Sequence, residues 1–182
     1  MTRRTMICPV ILAAVVAALA ACSTASPIQR GLEERYRVSS VEVQNQATQG
    51  EVLRRGKGIV LAIQVDVPAK KFRVLQAAPK GPRVHARDYA RVDIDDDRLS
   101  IALPGELRIP KGTELVLLDR KVEADRVHLF LHTAQALRTE NSRRVYGCTE
   151  IVLRVDPADL RRGDVAAVQR VIERWLVSVV SR

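Results

Sequence analysis

The chain has 182 residues and a formal net charge of +9, a size that suits one domain with its own core. Its only aromatics are two Phe, three Tyr and one Trp, too few for the series of stacked rings that single-stranded nucleic acid calls for. Three cysteines, at positions 8, 22 and 148, leave little room for a disulfide framework.

Met1 to Thr5 carries Arg3 and Arg4 without an acid, and Ile7 to Ala21 is almost wholly apolar. A spanning helix needs about 20 apolar residues. This run is fifteen residues long and ends in small side chains before Ser23-Thr24-Ala25-Ser26-Pro27, the layout of a secretory signal that is removed. Leu19-Ala20-Ala21-Cys22 resembles the lipobox of bacterial lipoproteins. The resemblance implies cleavage between Ala21 and Cys22, a diacylglycerol on the Cys22 thiol and acylation of the new amino group. It also implies a cell-envelope protein attached to its membrane through lipid on Cys22. By analogy with enteric lipoproteins, Ser23 in the next position suits the outer membrane, facing the periplasm. Cys8 then leaves with the leader and Cys22 is modified, so Cys148 is the one remaining thiol and no internal disulfide can form. Without Arg3 and Arg4 the mature chain keeps a net charge of +7. Such a domain meets lipid headgroups, lipopolysaccharide phosphates and cell-wall carboxylates, and no nucleic acid is expected as its partner.

Residues 22–32 are small and polar at the start and read as the lipidated cysteine and a short tether. The domain is expected over residues 33–182. From Glu33 to Val155 apolar residues recur mostly at spacing two. They predict strands at Tyr36 to Gln44, Gly58 to Val67, Lys71 to Ala77, Arg83 to Ile94, Leu99 to Leu103, Glu114 to Asp119, Arg126 to Thr133 and Tyr146 to Val155. Gln49-Gly50, Pro79-Lys80-Gly81-Pro82, Pro104-Gly105 and Pro110-Lys111-Gly112 punctuate them as turns. Ile59 to Ile63 and Leu115 to Leu118 have no polar side, so both predict central strands covered on two faces. After Asp156-Pro157 the period changes to three and four through Val165, Val168, Val171, Ile172, Trp175 and Leu176, which predicts an amphipathic helix over 157–180. The fold class is therefore mainly β (α+β): an antiparallel barrel or sandwich of about eight short strands with a C-terminal amphipathic helix.

Reactive side chains are few. His128 and His132 share one side of their strand, but four residues of strand separate their backbones by about 13 Å, too far to ligate one ion together. Asp93, Asp95 and Asp97 begin like a calcium loop, yet Arg98 stands where that loop needs Gly and Pro104 where it needs Glu. No metal or other cofactor is expected. Cys148 lies on the more polar side of its strand with Glu150 and Arg154. A neighbouring carboxylate raises a thiol pKa, which disfavours a nucleophile assisted by His85 or His128. The most informative stretch is Arg83 to Asp93, where alternation sets Arg83, His85, Arg87, Tyr89 and Arg91 on one face. That stripe is about 26 Å long and could hold phosphate or carboxylate groups, because Arg offers both paired donors.

These features predict a non-enzymatic envelope lipoprotein that serves as a binding or assembly/transport accessory module, with an envelope protein as partner. The alternative is a module that binds anionic cell-wall or lipid polymer through the basic strand face. A thiol- or His-dependent enzyme is the third reading, and no complete catalytic set supports it.

Overall fold

The computed structural model describes residues 26–44, 51–55, 58–71 and 89–179. The signal segment, Cys22, the Lys71 to Ala77 strand beyond Lys71, and Arg83, His85 and Arg87 lie outside the described residues.

In chain order the elements are α1 (Pro27–Arg35), β1 (Ser40–Gln44), β2 (Glu51–Arg55), β3 (Val60–Ile63), β4 (Val67–Lys71), β5 (Ala90–Asp95), β6 (Arg98–Leu103), β7 (Leu107–Ile109), β8 (Glu114–Val122), β9 (Arg126–Thr133), β10 (Arg138–Glu140), β11 (Arg143–Val145), β12 (Gly147–Arg154), α2 (Pro157–Arg162), α3 (Val165–Trp175) and β13 (Leu176–Ser178). The chain is mostly β, as its alternation predicts, and nine strands join in one curled, half-barrel sheet. The main path runs β13-β3-β8-β9-β12-β4-β7, while β1 with β2 and β10 with β11 form separate antiparallel ribbons. The two strands expected to be covered on both sides, β3 and β8, lie next to each other inside the sheet.

Strand β12 organises the sheet. Along one edge it pairs antiparallel with β9, from Cys148 against His132 to Arg154 against Arg126. Along the other edge its first two residues pair with β4 and the next five, Thr149 to Leu153, pair parallel with β5. A shared edge of this kind lets one strand serve two neighbours. It also explains why β5 and β6 leave the main path as a hairpin, turned by Asp96 and Asp97 with Asp96 at φ 51°. Strand β6 pairs only with β5 among the described residues, and Ile101 on it is 58% exposed.

One sheet face makes the main core. Leu61, Ile63, Leu115, Leu117, Leu129, Leu131, Ile151 and Leu153 are fully buried there with Ile28 and Leu32 of α1 and Val168 and Ile172 of α3. A bulge in β8 between Leu117 and Asp119 keeps this face apolar. It takes up Leu118 as an extra residue, so that Asp119 and Lys121 fall on the side opposite Leu115 and Leu117. Arg120 therefore lies on the helix side, where Nη1 donates to the Tyr36 carbonyl at 2.9 Å and Nη2 lies 3.3 Å from Glu33 Oε1. That guanidinium locks the end of α1 onto the sheet.

Helix α1 corrects the expected domain boundary. Pro27 occupies the first turn, where its missing N–H costs nothing, and the Ser26 hydroxyl accepts from the Gln29 N–H at 3.3 Å. Only Ile28 and Leu32 are buried, while Gln29, Arg30, Glu33 and Glu34 face outward, which is why the segment resembles a polar tether in sequence. Among the described residues, packed structure thus includes Pro27 to Leu32, ahead of the boundary expected near Glu33.

The C-terminal amphipathic helix is present but is shorter than 157–180 and interrupted. Gly163 ends α2 in the left-handed region at φ 71°, and Asp164 restarts the chain by accepting from the Ala167 N–H at 2.9 Å. Beyond Trp175 the chain extends into β13 and adds an edge strand to β3.

Close packing at Gly105 gives a sharp test of the β4–β7 corner. A Cβ at this position would overlap the Ala69 carbonyl and lie 2.9 Å from the Lys70 nitrogen, both backbone atoms of β4. Backbone cannot yield there without unpairing β4 from β7 or β12. Gly105→Ala is therefore expected to destabilise the fold by about 2–3 kcal/mol, read as a lower urea midpoint with an unchanged slope.

Candidate functional site

On the sheet face opposite the main core lie His128, His132, Cys148 and Glu150. On β12 the alternation that buries Thr149, Ile151 and Leu153 in the core turns Cys148, Glu150 and Val152 to this second face. The β9 register brings His132, Phe130 and His128 opposite them. Strand β5 contributes Arg91 and Asp93 beside Glu150 and Val152. The sequence reading of two-sided strands holds, but the side expected to be the more polar is also buried: Cys148 is 2% exposed, Glu150 4%, His128 7% and His132 0%.

Two arrangements make up the cluster. In the first, His128 Nδ1 lies 2.7 Å from Glu150 Oε1 and acts as donor to that carboxylate. Its Nε2 lies 3.5 Å from Glu123 Oε2, outside hydrogen-bond geometry, and Glu123 is itself held by Lys121 Nζ at 2.6 Å. The Lys121 ammonium, joined by the field of His128, holds the Glu123 carboxyl below the usual carboxylate range. In the second arrangement His132 faces Cys148 across the β9–β12 ladder. Its Nδ1–H donates to the Thr133 carbonyl at 3.0 Å, and its ring tilts over Tyr146 with centroids 5.9 Å apart. Burial pushes His132 down to about 4, so the imidazole is neutral at neutral pH.

The chemistry open to these groups follows from that geometry. A thiol nucleophile needs a base that accepts its proton and a path for substrate. The Cys148 Sγ–H points to the Lys70 carbonyl at 3.4 Å, and the imidazole opposite is a weak base whose protonated form is strongly disfavoured. With both groups sealed from solvent, the pair acts as core packing. His128 and Glu150 resemble the base and orienting acid of a triad, but no hydroxyl or thiol is hydrogen-bonded to Nε2 among the described residues. No three His, Cys, Asp or Glu side chains are grouped to hold a metal ion among the described residues.

Of the basic stripe, Tyr89 and Arg91 are described. Tyr89 is 4% exposed, its ring edge-on to Phe130 with centroids 5.3 Å apart, and Cys148 completes this small apolar cluster. Arg91 spends its paired donors on Asp93, with Nε 2.7 Å from Oδ1 and Nη2 3.2 Å from Oδ2. The Asp93 carboxylate raises the guanidinium pKa further. Val92 and Ile94 join the main core on the other side, where Ala90 is also buried, as the alternation predicts. Asp95 to Asp97 lie exposed at the turn of the β5–β6 hairpin.

The His128–Glu150 pair was not legible as a pair in the sequence. Each residue sits on a correctly read strand, but the β10–β11 ribbon intervenes between β9 and β12 and hides their register. No protein family, curated protein or solved structure matches this chain.

Proposed function

We propose that the chain is a lipid-anchored protein of the bacterial cell envelope whose β domain is a non-enzymatic binding or assembly/transport accessory module. Lipid on Cys22 holds it to the outer membrane, facing the periplasm. The observation that carries the reading is the order of three features: a basic tip, a short apolar leader closed by Leu19-Ala20-Ala21-Cys22, and a helix rooted in the domain core from Pro27 onward. A domain fixed so soon after an anchor serves as a platform at the membrane surface. The buried states of Cys148 and His132 argue against a thiol enzyme. A partner protein of the envelope is the ligand class this reading favours.

Envelope fractionation tests it. Two or three acyl chains at about 0.8 kcal/mol for each buried methylene hold a domain almost permanently. The native chain is therefore expected in the membrane pellet and a Cys22→Ser chain in the soluble fraction. Equal retention of both would refute the anchor.

A further inference from the structure

The geometry points to one corner of the domain as its membrane-facing surface: the start of α1 together with the α2–α3 junction, where Arg30 and Arg161 would rest on the anionic headgroups of the bilayer that holds Cys22. This inference rests on the lipid-anchor reading and adds to it an orientation and a surface.

Reach comes first. Four residue steps separate Cys22 from the capping residue Ser26, a span of at most roughly 14 Å. The start of α1 therefore cannot stand far from the headgroups. It cannot swing independently of the domain either. Ile28 and Leu32 are buried, Arg120 holds the far end of the helix, and Gly31 abuts Val165 at the start of α3 so closely that a Cβ there would overlap the valine. The anchor thus constrains the whole domain.

Charge comes second. A Cβ on Gly163 would lie 3.1 Å from Pro27 Cβ, so the turn carrying Arg161 and Arg162 sits directly beside the first residue of α1. Arg30 lies one turn along that helix, and all three arginines are exposed. The acids of the α2–α3 junction keep their charge but each has a local donor, while Glu34, one turn beyond Arg30, is exposed. Asp156 accepts from the Ala158 N–H at 2.7 Å, Asp164 accepts from the Ala167 N–H at 2.9 Å, and Asp159 pairs with Arg162. Arg30 and Arg161 have no side-chain ion pair among the described residues. Each arginine held against an anionic surface favours the bound orientation by about fivefold.

The test uses the full lipidated chain in vesicles of phosphatidylcholine with phosphatidylglycerol. An environment-sensitive dye is attached through Gln29→Cys at the corner or through Asn141→Cys in the β10–β11 turn, and the lipids carry a headgroup quencher. Cys148 is 2% exposed and escapes labelling. The expected result is at least about threefold stronger quenching at position 29 than at 141, a contrast that narrows, though the tether keeps it from vanishing, when Arg30 and Arg161 are both changed to Glu, or in high salt, which screens exposed charges. The variant chain still sediments with the vesicles through its lipid. Equal quenching at both positions, or a contrast that neither charge reversal nor salt reduces, would overturn the proposal. If the chain carries no lipid, its mass and its failure to sediment show that the anchor reading itself is wrong, and the orientation falls with it.

Discussion

Glu150→Ala is expected to lower the unfolding free energy by about 1–3 kcal/mol, through the loss of one buried hydrogen bond. Glu150 is 4% exposed and accepts from His128 Nδ1 at 2.7 Å, so its removal strands a buried donor between strands β9 and β12. Arg91 also loses a carboxylate whose field it feels. The contrast with the ring's other neighbour makes the argument testable. Glu123 is 38% exposed at its side chain and stands 3.5 Å from Nε2, so Glu123→Ala is expected to cost less than about 1 kcal/mol. Replacing both His128 and Glu150 by Leu removes donor and acceptor together and is expected to recover most of the loss. Guanidinium unfolding of the four chains measures this, and a Glu150→Ala chain as stable as the parent would contradict it.

The second large effect depends on pH. His132 titrates near 6.5 in the unfolded chain but is pushed down to about 4 by burial in the folded one. Between those values the unfolded chain binds a proton that the folded chain refuses, so stability is complete above about pH 6.5 and falls as pH drops toward 4. The loss expected from this one group is about 3 kcal/mol. Glu123, Glu140 and Asp66, all held below the usual carboxylate range, act in the same direction at lower pH, and their exposure makes their share small. Thermal unfolding followed from pH 7 to pH 4 should show the decline, and a His132→Gln chain should show a much flatter curve. Parallel curves for the two chains would place the acid sensitivity elsewhere.

How far the fold could be read from sequence depended on whether its cause was local. β9 was predicted at Arg126 to Thr133, where it stands, because alternation over eight residues is strong and both ends are polar. The two-sided apolar runs marked neighbouring inner strands for the same reason. Short strands such as β7, β10 and β11 escaped notice, since three residues carry no period. Helix α1 escaped because two buried side chains among nine residues leave a polar composition. The Gly163-Asp164 pair was a stop followed by a start, yet the apolar spacing on either side masked it. The parallel contact of β5 with β12 is a tertiary choice that no local pattern encodes.

The buried face was legible only in its parts. His128, His132, Cys148 and Glu150 were assigned to the correct strands and to one side. Their partners were not visible, because pairing depends on register across an intervening ribbon. Tyr89 was read as the aromatic member of a basic stripe, and the neighbouring strands give it Phe130 and Cys148 as packing partners instead.

The proposed lipid on Cys22 would make this domain a surface-held platform. Intact-mass measurement of the chain extracted from native envelopes tests it most directly. The expected result is a mature chain that begins at Cys22 and carries the added mass of a diacylglyceryl group with an amide-linked acyl chain. An unmodified chain cleaved at another position, or one that retains its leader, would contradict it.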